Sequence, residues 1–148
     1  MKLSQNFTLD EFTQSASAKR LGISNEPTPE VIANLQLLVT NVLQPLRMAL
    51  GRSIKVTSGY RSPAVNKAVG GVKTSQHSEG KAVDIVVDGV APYDVVKFLT
   101  DMNIEFDQAI QEFGEWTHIS YDINSNREQV LTAKKIDGKT RYLSGLFK

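Results

Sequence analysis

One run, Ala82-Val83-Asp84-Ile85-Val86-Val87, constrains the fold more than any other stretch of the 148 residues. It reads as a β-strand closed by Asp88-Gly89, and it carries a carboxylate in its interior. Strand alternation puts Ala82, Asp84 and Val86 on one face and Val83, Ile85 and Val87 on the other. Asp84 is therefore expected to be at least half-buried, where an ionised carboxylate without a cationic partner is costly. A metal ion is one such partner. His77, one of only two histidines, precedes Asp84 by seven residues. Seven extended residues span at most about 25 Å, so the two side chains meet only if the chain folds back, and Gly80 supplies that turn.

The other histidine lies in Gly114-Glu115-Trp116-Thr117-His118-Ile119-Ser120. On a strand, Trp116, His118 and Ser120 share a face, and if that strand neighbours the first, His118 converges with His77 and Asp84. Two imidazoles and one carboxylate match a catalytic zinc site in kind, with the fourth tetrahedral position left for water. The chain has no cysteine, which removes disulfides, thiolate metal sites and thiol nucleophiles from consideration.

Around these motifs the pattern is α+β. Thr8-Leu9-Asp10-Glu11 has the form of a capping box, predicting a helix to about Ala18. Thr28-Pro29-Glu30 starts a second helix, whose apolar positions run from Val31 to Leu50, with Pro45 expected to kink it and Gly51 to stop it. A strand over Ile54–Thr57, a short helix from Ser62-Pro63 to about Val69 and a helix over Pro92–Met102 follow. Strands are expected near Asp107–Glu112, Trp116–Tyr121 and Glu128–Thr132. The expected architecture is a single domain over residues 1–148, with N-terminal helices packed on a mainly antiparallel sheet that carries the zinc site.

Ser75-x-His77-x-x-Gly80-x-Ala82-x-Asp84, Glu115-Trp116-x-His118 and the upstream Ser58-Gly59-Tyr60-Arg61-Ser62 together resemble the zinc D-Ala-D-Ala carboxypeptidases and related peptidoglycan peptidases of the M15 type. The opening Asn6-Phe7-Thr8-Leu9-Asp10-Glu11-Phe12 also looks like the small, single-domain branch found in phages and bacteria. The resemblance implies a fold shared with the signalling domain of hedgehog proteins. It implies Zn2+ held by His77, Asp84 and His118, and Glu115 as general base. It further implies Arg61 as the group that stabilises an oxyanion or holds substrate, with Ser75 and Trp116 lining the site. Strict alternation places Glu115 opposite His118, so a turn or bulge at Gly114 would have to re-aim it.

The implied activity is hydrolysis of the peptidoglycan stem peptide, as a D-alanyl-D-alanine carboxypeptidase. The alternatives are an endolysin-type endopeptidase cutting L-alanyl-D-glutamate or a cross-bridge, and a non-catalytic zinc-containing binding module. A formal charge of +1 gives no footprint for nucleic acid, and no apolar run is long enough to span a membrane. Lys134-Lys135 and Lys139–Arg141 read as a solvated basic face. The N-terminus lacks a signal-peptide pattern, so the expectation is a monomer made in the cytoplasm that reaches the wall by phage-type release or lysis.

Overall fold

The computed structural model describes residues 1–148. Two short strands, β1 (Lys2–Ser4) and β2 (Phe7–Thr8), pair antiparallel and lead into α1 (Leu9–Thr13). The Thr8/Glu11 capping box is present, with Glu11 Oε1 accepting from the Thr8 backbone N–H at 3.1 Å. The helix predicted to Ala18 is instead two. Ser15 is extended and caps α2 (Ala16–Leu21) by accepting from the Ala18 N–H at 3.1 Å.

The long helix begins as expected at Pro29, with Thr28 as its cap, and runs as α3 (Pro29–Leu38). Pro45 does not simply kink it. A π-helical stretch, Val39–Leu43, widens the turn before α4 (Gln44–Leu50), so that Pro45 falls in the first turn of α4 where its missing N–H costs little. Then come β3 (Ile54–Ser58), α5 (Pro63–Ala68), a single 3-10 turn (Gln76–Glu79), β4 (Ala82–Val87) and α6 (Pro92–Asp101). The chain finishes with β5 (Gln108–Glu112), β6 (Trp116–Ser120), β7 (Gln129–Ile136) and β8 (Lys139–Ser144).

Six strands form one sheet in the order β3-β4-β6-β5-β7-β8. All neighbours are antiparallel except β5 and β7, which run parallel, so the sheet is mixed. The architecture is α+β, with the helices concentrated in the first half of the chain. Val83, Ile85 and Val87 join Ala109 and Ile119 in a core with Leu35, Leu38, Val42 and Leu46 of the long helical segment and Val95, Val96 and Leu99 of α6. Alternation sends Asp84, His118 and Ile110 to the opposite face. There the pairing aligns them in one row across the sheet, Asp84 beside His118, His118 beside Ile110, and Ile110 beside Leu131.

Candidate metal centre

His77 reaches this row from the 3-10 turn, which Ser75 caps by accepting from the His77 N–H at 3.2 Å. Gly80 ends the turn at φ 73°, and an added Cβ there would come within 2.7 Å of the Val31 carbonyl. The chain thus doubles back against α3 to bring His77 over Asp84, using the glycine in the left-handed conformation that other residues resist. The segment after β3 holds the histidine from the other side. Arg61 N–H donates to the His77 carbonyl at 3.1 Å, and His77 Nδ1 lies 2.8 Å from the carbonyl oxygen of Gly59.

A carbonyl only accepts, so Nδ1 carries a proton and the ring turns its Nε2 toward Asp84 Oδ1, 3.6 Å away. Asp84 Oδ1 also lies 3.0 Å from His118 Nδ1. The donor atoms of His77, Asp84 and His118 all lie within 4.8 Å of one another. A ring nitrogen and two further donors converging on one point leave room for a cation among them. Together with the mixed nitrogen and oxygen donor set, that convergence makes a fit to zinc in kind. Burial raises the Asp84 carboxyl, but the imidazoles of His118, hydrogen-bonded to it, and of His77 beside it outweigh that and hold the group well below the usual carboxylate range. These three residues could hold a metal ion.

Around the three lies a cleft of about 740 Å³, whose lining includes Arg61, Ser75, Trp116, Glu112 and Tyr142. Arg61 Nη2 donates to Ser75 Oγ at 3.4 Å, and its Nε is buried without a partner. The expected site residues Arg61, Ser75, His77, Asp84, Trp116 and His118 are therefore all brought to one cleft.

Glu115 is the exception. Phe113 and Gly114 form the β5–β6 turn with φ of 58° and 69°, and the Glu115 N–H closes it onto the Glu112 carbonyl at 2.9 Å. The turn exists where Gly114 suggested it, but it leaves Glu115 exposed and outside the cleft lining. The acid that lines the cleft is Glu112, the register partner of Trp116 on the face that carries His118 and Ile110. Burial pushes the Glu112 carboxyl up, the Asp84 charge adds to that, and His118 and the Trp116 indole pull the other way. The signal for Glu112 was available in the hairpin. Centring the turn on Phe113-Gly114 puts Glu112, not Glu115, two residues along the strand from the partner of His118.

The family model for Peptidase M15 matches residues 5–120, which span every element from β2 to β6 and all the residues of the triad. No curated protein matches the chain. A site able to hold a metal ion and this match over most of the sequence support a metallopeptidase. The chain belongs to the Peptidase M15 family.

Proposed function

We propose that the protein is a zinc peptidase that hydrolyses the stem peptide of bacterial peptidoglycan as a D-alanyl-D-alanine carboxypeptidase, on the fold of the D-Ala-D-Ala peptidases and hedgehog domains. The observation that carries the reading is the convergence of His77, Asp84 and His118 beside a half-buried acid, Glu112, in one open cleft. A zinc ion held by the three would polarise the scissile carbonyl and acidify a water molecule. Gly59 fixes the ring of His77, and His118 and Asp84 fix one another across the β4–β6 pair. Glu112, with its carboxyl raised above an ordinary glutamate, accepts the proton from water and returns it to the leaving amine. Arg61 sets a permanent charge at the cleft wall, which suits a developing oxyanion or a substrate carbonyl.

An endopeptidase is the second reading, because the cleft extends past the three ligands along their row to Leu131 on β7 and on to Tyr142 on β8, and so offers room beyond a terminal dipeptide. Mass analysis of products from purified peptidoglycan and from a synthetic pentapeptide stem ending in D-Ala-D-Ala separates the two. Free D-alanine establishes the carboxypeptidase, and internal fragments without it establish the endopeptidase. No product from zinc-loaded protein overturns both and leaves a binding module.

A further inference from the structure

Asp107 is only 3% exposed, and nothing in the proposed chemistry uses it. Its oxygens are nonetheless fully engaged. Oδ1 accepts from Arg127 Nε at 2.8 Å and from the Arg127 backbone N–H at 3.1 Å. Oδ2 accepts from Arg127 Nη2 at 3.0 Å and from Gln76 Nε2 at 2.8 Å. The paired bonds to the guanidinium fix its plane as well as its position. The Gln76 amide is oriented too, since donation from Nε2 leaves its Oε1 pointing elsewhere as a free acceptor.

Both residues that Asp107 positions line the cleft, whereas Asp107 itself does not. The Arg127 side chain is 53% exposed, and only Nε and Nη2 are committed to the buried acid. Its Nη1 edge remains for a ligand. Were the pair only a tie between the β6–β7 loop and the sheet, it would not need to orient Gln76, the neighbour of His77, into the same cleft.

Strand register gives the pair its place. From Ile110 in the metal row, two residues along β5 in one direction lead to Glu112, and two in the other lead to Gln108, whose partner is Gln129. Asp107 immediately precedes Gln108, and Arg127 lies two residues before Gln129. Glu112 and Arg127 thus flank the metal row on opposite sides, each displaced along the strands by at least one two-residue step of about 7 Å. A peptide crossing the row meets a proton acceptor on one side and a fixed cation on the other.

We propose that Arg127, positioned with Gln76 by the buried Asp107, binds a carboxylate of the substrate peptide and makes the cleft selective for acidic peptides. This deepens the peptidase reading and rests on it for the identity of the substrate. In a stem pentapeptide the carboxylate is either the C-terminal one or that of the D-glutamate.

The test measures binding by calorimetry to zinc-loaded protein carrying both Glu112→Gln and Glu115→Gln, which removes either acid as a base. The probes are the stem pentapeptide, its C-terminal carboxamide and its D-glutamate carboxamide. The expected result is that one amidated peptide binds on the order of tenfold to a hundredfold more weakly than the parent, the range for a hydrogen bond to a charged group. Adding Arg127→Met should bring that ratio to near one, while Arg127→Lys, which keeps the charge but not the paired hydrogen bonds to Asp107, should retain part of it. The amide that loses affinity identifies the carboxylate. Equal affinity for all three peptides, or an unchanged ratio in both Arg127 variants, overturns the proposal. Hydrolysis by the zinc-loaded parent is assayed separately: peptides that bind with the expected ratio and are not cut overturn the peptidase reading and leave the carboxylate site standing.

Discussion

Asp84 and His118 are direct partners across the β4–β6 pair, with 3.0 Å between Asp84 Oδ1 and His118 Nδ1. Their geometry belongs to the sheet, while His77 is delivered separately by a 3-10 turn that Gly80 ends, with its ring held by the Gly59 carbonyl. The metal site therefore depends on two structures at once, a rigid strand pair and a looped segment.

Removing a ligand should dissociate metal binding from folding. The core cluster contains none of the three ligand residues, so His118→Ala and Asp84→Ala are expected to fold with an unchanged far-UV spectrum. Their zinc content, measured by plasma emission after dialysis, should fall from about one per chain to near zero. Chelation of the parent should likewise leave the fold intact but lower the melting temperature. A ligand present at a hundred times its dissociation constant contributes about 2.7 kcal/mol, and that contribution is lost.

Gly59 should be intolerant of a side chain for a steric reason. A Cβ there would overlap the backbone of Phe12, and both neighbouring strands of chain are pinned, Tyr60 N–H donating to the Phe12 carbonyl at 2.6 Å. Gly59→Ala is expected to destabilise by about 1–3 kcal/mol, measured by urea unfolding. Because the Gly59 carbonyl also orients His77, zinc affinity should fall by about tenfold to a hundredfold in the same variant.

The Asp107–Arg127 pair should shape the acid limb of stability. Arg127 beside it outweighs the effect of burial and holds the Asp107 carboxyl down at about 2. A depressed folded-state value stabilises the fold above the unfolded carboxyl's value near 4, and that contribution disappears as pH falls from about 4 to about 2. Asp107→Asn should therefore lose stability at pH 7 while flattening the decline between pH 4 and pH 2, read from urea midpoints across that range.

Much of this arrangement was legible because the relevant residues are of rare types in regular elements. Both histidines of the chain fall in the cleft, and the strand Ala82–Val87 has the bounds its alternation implied. What was not legible depended on partners distant in sequence. β1 and β2 are too short to carry a period. Lys139, Thr140 and Arg141 are exposed, as a solvated basic face requires, but they lie on an edge strand whose only signal is Asp137-Gly138, the turn with φ of 52° and 76° that makes the hairpin. The π-helical stretch before Pro45 had no signal beyond the proline itself. Motif spacing points to Glu115 and says nothing of Glu112, whose place on the His118 face follows from strand parity in the hairpin. Arg127 and Asp107 lie 20 residues apart and show nothing in sequence of the bonds that join them.

The most direct test of the account compares hydrolysis of the pentapeptide stem by zinc-loaded Glu112→Gln and Glu115→Gln proteins, with zinc content measured on the same samples. Loss of a positioned general base costs about a hundredfold to ten-thousandfold. The account predicts that loss for Glu112→Gln with zinc still bound at about one per chain, and the parent's rate for Glu115→Gln. An inactive Glu115→Gln protein beside an active Glu112→Gln protein, both holding zinc, would contradict it.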